Sequence, residues 1–567
     1  MRAQPLTVAV LAALIAVTAC AQPGGSGPPA SNGPDGAGAR PASAPKILRM
    51  GFQVEPKNFL DPAGRGEVQL TDLVHPQSLV RFDGRDYLPD LAVEVPSLAN
   101  GLWRLFPDGT MEMTWRLPPN ARWHDGAPFT ADDVLLGWQY TKSPGTLLAA
   151  SQWRRFSDRA AAPDPHTFVA HFSQIYARAI EGDIRPMPRH ILGETFDAGE
   201  VERFNNHPYF TTEMIGLGPY KLVAWQQGLA MELTRFDDYF LGRPRLDGVV
   251  ARFFPDVNTL MANIFAGELD LVLPNILQTE QLAPLQQAFE GTSNRAIVHT
   301  SGQFQYIQSQ FRPDVARPRA LLDPRVRQAL YRGLDRQTLS DVMTSGKGPV
   351  ADSWIPPDDV RRQTAFRDAI PLYPYDPTRA TRELEQLGFR MGTDGILLTP
   401  DGERFEQEVR KTPIPTAEIL LGVIRGSWRQ IGAETTLVIM TPQLTGDAAY
   451  RAAFPGWDIS LLTWTNHETN LRSTAPRPGA AWDNGGGRLG YVNPRLDGLI
   501  DRLNVTIAPD ERDRVHAEVL REQMTDLPRL YMWWDVFVVT MSGRVRNVKA
   551  PFFQPYWGWD AFDWDLE

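Results

Sequence analysis

This chain offers few places where chemistry could occur. Its only cysteine is Cys20, so the body of the protein has no thiol for metal or redox work and no intrachain disulfide. The nine histidines are scattered. His166 and His171 stand five apart in a strand-like stretch, which puts them on opposite faces and denies them a shared metal. No Gly-x-Ser-x-Gly elbow, His-Glu-x-x-His helix or P-loop occurs. Gly485-Gly486-Gly487-Arg488-Leu489-Gly490-Tyr491 formally contains Gly-x-Gly-x-x-Gly, but no strand precedes it and Asn493-Pro494 follows. The strand–turn–helix setting of a dinucleotide site is therefore missing. Among 67 acidic residues nothing singles out a catalytic carboxylate pair. No enzyme, metal or cofactor is expected. Trp464-Thr465-Asn466-His467-Glu468 directly follows the apolar strand Ile459–Thr463.

Cys20 itself ends the apolar run Pro5–Ala19, which Arg2 precedes. About 15 residues at about 1.5 Å each reach about 22 Å, short of a bilayer core of about 30 Å. A positive start, a short apolar middle and small residues before a cut describe a secretion signal. Val17-Thr18-Ala19-Cys20 resembles the bacterial lipoprotein box, which implies cleavage before Cys20 and lipid on its thiol. Ala21 to Pro45 is Gly, Pro, Ser and Ala with almost no large apolar side chain, and reads as a flexible tether.

The elements that must position a site come from the remaining 522 residues, 46–567. A chain of 567 residues exceeds one ordinary core, and 43% hydrophobic with 22% charged residues is a globular composition. A net charge of −10 argues against nucleic acid as a partner. Met111–Leu117 alternates as a strand with Met111, Met113, Trp115 and Leu117 on one face. Thr130 with Asp133 is a capping box, opening a helix with Val134, Leu135 and Trp138 as its stripe. Lys221–Trp225 and Met231–Arg235 read as a hairpin. Asp323-Pro324 and Asp376-Pro377 start helices, the second closing at Gly388. Ile419, Leu420, Val423, Ile424 and Ile431 form a further inward stripe, followed by a strand through Leu437 and Ile439. Periodicity alone thus gives a multidomain α/β protein.

The order of several short segments resembles the solute-binding lipoproteins of peptide-type ABC importers, the bacterial extracellular solute-binding family 5. They include Arg122-Trp-His-Asp-Gly-Ala-Pro-Phe-Thr-Ala-Asp-Asp-Val134, Gly216-Leu-Gly-Pro-Tyr-Lys-Leu222, Ala266-Gly-Glu-Leu-Asp270, Asp323-Pro-Arg-Val-Arg-Gln-Ala-Leu330 and Pro494-Arg-Leu-Asp-Gly-Leu-Ile500. The resemblance implies a two-lobed periplasmic-binding-protein-like fold (type II, large cluster-C type) with an extra α+β subdomain. Carried over, residues 1–19 are signal, 20–45 lipidated cysteine and tether, and 46–75, 211–300 and 536–567 lobe I. Residues 76–210 are the extra subdomain and 301–535 lobe II. In peptide-binding relatives an aspartate of the tryptophan-containing stretch pairs with the ligand ammonium, and here that position falls on His467. Glu468 or Glu67 could supply the missing charge, Arg488 beside Tyr491 could hold a ligand carboxylate, and Trp482 and Trp534 could wall the cleft. The implied function is capture of a small solute, an oligopeptide, by a monomer held outside the cytoplasm by its lipid, for delivery to ABC permease subunits. A secreted hydrolase on a clefted scaffold, or a sensor or chaperone lipoprotein, is the alternative.

Overall fold

The computed structural model describes residues 44–59, 67–76, 78–83, 86–147, 152–182, 184–463, 467–473, 488–550 and 557–567. The lipoprotein box at Cys20 lies outside them. Residues 45–567 form one of two units, and the architecture below is theirs.

Ten strands make one large sheet in the order 434–439, 406–411, 457–463, 295–309, 529–541, 271–277, 47–52, 248–253, 230–235, 220–226. The centre of this order is two long antiparallel strands, Arg295–Ser309 and Arg529–Met541. Both are rich in β-branched and aromatic residues, and the second is buried along nearly its whole length, as a strand covered on both faces requires. They pair from Arg295↔Met541 to Thr300↔Val536, then resume at Phe304↔Trp534. Between these points Ser301, Gly302 and Gln303 face the single residue Asp535, a bulge. Gly302 there takes φ +71°, a left-handed conformation that costs other residues energy. The Ser301 hydroxyl donates to the Asp535 carbonyl (3.3 Å), and Gln305 and Trp533 donate to its carboxylate (2.8 and 3.1 Å), replacing the interrupted ladder.

Two large apolar clusters lie along this frame and a third on a separate sheet. The first joins Leu48, Met50, Leu73, Leu271, Val538 and Trp564. The second joins Phe304, Trp354, Trp428, Trp457, Tyr531 and Trp534. The third packs Met111, Met113, Trp115, Trp123, Val134 and Phe168 around a separate antiparallel sheet ordered 103–105, 111–116, 167–172, 157–164. A smaller fourth cluster includes Phe454, Leu489, Tyr491 and Leu496. The second crossing strand feeds two cores, Leu530–Trp534 in one and Val538–Met541 in the other.

Local expectations are met in detail. The capping box at Thr130 and Asp133 starts the helix Ala131–Lys142, and the hairpin is 220–226 with 230–235. Asp323 and Asp376 cap their helices, each accepting from a backbone N–H, with a proline in the first turn. Two readings need correction. His166 sits in the turn before the strand Thr167–Phe172 rather than within a strand, while His171 in that strand binds Asp158 (2.7 Å). Ile419 is exposed, because the helix Ala417–Gln430 turns Leu420, Leu421, Ile424 and Trp428 inward. Trp428 sets that rotation: its indole donates to the Leu330 carbonyl (2.9 Å) and packs on Trp457.

Two of the motifs, around His124 and around Gly216, prove to be one unit. His124 Nδ1 accepts from the Gly216 N–H (3.0 Å), leaving Nε2–H to donate to the Gly218 carbonyl (2.9 Å). A Cβ on Gly216 would lie 1.8 Å from the Val74 carbonyl oxygen, so only glycine fits this approach. Burial, with Lys221 adding to it, pushes the His124 pKa down to about 4.

Two predictions follow from these contacts. Gly302→Ala is expected to cost about 1–2 kcal/mol in denaturant unfolding, the left-handed penalty. A histidine depressed from 6.5 to about 4 keeps its stability contribution above pH 6.5 and loses it as pH falls toward 4. Stability measured across that window is expected to fall with a slope that His124→Gln makes shallower by up to about 1.4 kcal/mol per pH unit.

Candidate functional site

The strand Trp457–Thr463 pairs with Arg295–Ser309 and delivers the chain to a short 3-10 turn, His467–Leu471. Trp464, Thr465, Asn466 and Trp482 lie outside the described residues. Glu67 opens the helix Glu67–Val74, its side chain likewise outside them. The other five candidates, His467, Glu468, Arg488, Tyr491 and Trp534, are all buried.

His467 is fully enclosed. Its ring meets Phe304 edge-on (5.2 Å between centroids) and lies near Trp354 (4.9 Å), and Nε2 is 2.7 Å from the Tyr531 hydroxyl. Burial, then the Arg529 guanidinium, pushes its pKa well below the ordinary histidine value, so the imidazole is neutral. Trp534 packs edge-on against the same Phe304 (5.3 Å), and its backbone N–H donates to the Pro349 carbonyl (2.9 Å). His467 and Trp534 therefore share one aromatic wall.

The neighbouring Glu468 carries charge but shares it within the chain. Its Oε1 accepts from Arg178 Nη1 at 3.0 Å, and each side chain is only 8% exposed. Arg178 also grips Glu181 in a fork, Nε to Oε1 at 2.8 Å and Nη2 to Oε2 at 3.1 Å, and Tyr87 donates to Glu181 (3.2 Å). Burial pushes Glu468 up, yet Arg178 and His516 together hold its carboxyl below the ordinary range. Tyr176 and Ala179, beside Arg178, belong to the third cluster, whereas His467, beside Glu468, packs on members of the second. The pair thus joins residues 290 apart and two different cores. Nearby, the Ala177 N–H donates to the Asn504 carbonyl.

Arg488 and Tyr491 sit apart from that wall. Arg488 Nη1 lies 3.6 Å from Asp458, which is wholly buried. Tyr491 packs on Phe311 (4.8 Å) and its hydroxyl accepts from Asn493 (3.0 Å). Arg178, Asp458, Arg529 and Asp535 were not singled out by sequence, since their partners are distant in the chain. Chemically the region offers aromatic surface, neutral imidazole and paired charge. Among the described residues no group of three or more His, Cys, Asp or Glu could hold a metal.

Arg178→Met strands Glu468 and Glu181 and is expected to cost about 3–5 kcal/mol in denaturant unfolding, the usual price of breaking a buried pair. Adding Glu468→Gln is expected to recover at least about 1 kcal/mol, and strictly additive losses would contradict the coupling.

Comparison with known proteins fits this architecture. The oligopeptide-binding protein AppA of Bacillus subtilis is 25% identical over 472 residues, covering 80% of each chain. Heme-binding protein A of Haemophilus influenzae is 22% identical, covering 82% of this chain and 83% of that one. In three dimensions the chain is similar to NikZ of Campylobacter jejuni in complex with Ni(L-His), with TM-score 0.71 at 20% identity, covering 92% of this chain and 100% of that one. It is equally similar to the Thermus thermophilus oligopeptide-binding protein with a pentapeptide, with TM-score 0.70 at 21% identity, covering 92% and 96%. Such likeness gives the two-lobed fold. Residues 94–473 match the model for the bacterial extracellular solute-binding proteins, family 5 Middle, so the chain belongs to the family 5 extracellular solute-binding proteins, the binding components of ABC importers.

Proposed function

We propose that this protein is the lipid-anchored receptor of an ABC importer and captures an oligopeptide between two hinged lobes as a monomer. Lobe I comprises 46–75, 211–300 and 536–567, the extra subdomain 76–210, and lobe II 301–535. The observation that carries the reading is the bulge at Ser301–Gln303 opposite Asp535, where both crossing strands pass from the first apolar cluster to the second. Few backbone bonds oppose rotation there, and each core stays intact on its own side. Solute would favour the closed form by differential binding, with no bond made or broken in the cargo.

The Arg178–Glu468 pair supports the same reading. It bridges the extra subdomain and lobe II, so it would form as the lobes close. With Glu468 engaged and His467 neutral, this end of the site leaves little net charge for a ligand ammonium, so the peptide would be held by aromatic contact and backbone hydrogen bonding. The named oligopeptide-binding relative favours peptide over the heme and nickel-complex cargoes of other relatives. Anchoring rests on Val17-Thr18-Ala19-Cys20 and the tether behind it.

The test is a melting-temperature screen of the folded protein against peptides, glutathione, heme and nickel–histidine. Ligand at about 100 times its Kd adds about 2.7 kcal/mol to stability. Peptides are expected to raise Tm, and no shift with any of them would overturn the receptor reading. Cys20→Ser is expected to move the protein from the membrane to the soluble fraction, and unchanged membrane recovery would refute anchoring.

A further inference from the structure

The strands 457–463, 295–309 and 529–541 lie side by side, and their registers align Asp458 with Gln308 and Gln308 with Arg529. Directly opposed residues share a sheet face, so these three polar side chains form one row. All three are 0% exposed. Gln308 Nε2 donates to Asp458 Oδ2 (2.8 Å), and Arg488 and Arg451 approach the same oxygen at 3.6 and 3.9 Å. Asp458 thus faces two guanidinium groups on its flank, while a third, that of Arg529, belongs to the row itself.

Arg529 stands at the far end of that row from Asp458. Among the described residues no carboxylate lies within 4 Å of it, and Nε and Nη2 meet no acceptor. Its guanidinium lies 4.8 Å from the Tyr306 ring centroid, and Nη1 is 3.3 Å from Nδ1 of the neutral His467. Among the described residues the other fully buried arginine is treated differently. Arg327 donates to the carbonyls of Leu321, Asp526 and Leu527 and reaches the Asp526 carboxylate at 2.8 Å. A guanidinium cannot shed its proton, so burial without an anion is strongly unfavourable.

The unpartnered edge also has a defined geometry. Nε and Nη2 are the two donors with which Arg178 forks onto Glu181, at 2.8 and 3.1 Å. Arg325 uses the same pair on Asp323, at 3.1 and 2.6 Å. We propose that the Nε–Nη2 edge of Arg529 binds a carboxylate that does not come from the described residues of this chain. Its source is either a carboxylate of the captured solute, which rests on the receptor reading above, or a free small carboxylate, which does not.

The experiment uses the full chain and sodium formate as the probe. Tm is followed over roughly 1 to 100 mM formate for the unmodified protein and for Arg529→Gln, so that general salt effects act on both. An excess rise of about 2 °C in the unmodified protein is expected. Parallel curves would overturn the proposal. If Arg529→Gln does not fold, crystals of the unmodified protein soaked in bromide decide. An anomalous peak within about 3.5 Å of Arg529 Nη2 supports the site, and none refutes it. A peptide and its C-terminal amide then assign the source. At least about tenfold weaker binding of the amide points to the solute's carboxylate, and equal binding alongside the formate effect points to a free anion. If no peptide binds while the formate effect persists, the receptor reading fails and the anion site stands.

Discussion

The antiparallel ladder between Arg295–Ser309 and Arg529–Met541 is the constraint on which the rest of the architecture depends. It fuses two half-sheets into one sheet of ten strands and obliges two cores to grow on either side of one line. A continuous ladder would make that line rigid. Instead three residues oppose one at Asp535, with Gly302 in a conformation other residues adopt at a cost. Side-chain bonds to Asp535 hold the gap in place without restoring the regular ladder. A closing motion confined to this gap would leave Leu530–Trp534 and Val538–Met541 undisturbed in their cores.

Charge is distributed around this frame by a consistent logic. Buried guanidinium groups are placed where the chain can supply oxygen, as for Arg178 on Glu181 and Glu468 and for Arg327 on the 526–527 carbonyls. Histidines such as His124 and His467 are buried neutral, acting as hydrogen-bonding spacers rather than charges. Arg529 departs from both patterns, at the opposite end of the row from Asp458. Within the proposed receptor, ion pairing across the lobes and anion binding beneath the aromatic wall are separate demands met by different arginines.

Much of the fold was legible because its signals are local. Alternation at Met111–Leu117, the Thr130–Asp133 box and the Asp-Pro helix starts at 323 and 376 each fix a conformation within a few residues. The stripe containing Ile419 failed by one position because a distant acceptor, the Leu330 carbonyl, rotates the helix through Trp428. The site was legible only in part. Sequence pointed to His467 and Glu468, but not to Arg178, which lies 290 residues from its partner. Nor could periodicity reveal that Asp458, Gln308 and Arg529 share a row, since that needs the registers of three strands. The motifs at His124 and Gly216 were each visible, whereas their mutual hydrogen bonds were not.

The central claim, closure of two lobes about the bulge at Gly302, is tested most directly by a distance distribution between spin labels. Glu202→Cys in the extra subdomain and Glu403→Cys in lobe II are exposed positions, and the one native thiol, at Cys20, is replaced. The account predicts a long and a short distance without peptide, and the short one alone when peptide is bound. One distance that peptide leaves unchanged, in protein shown to bind it, would contradict the account.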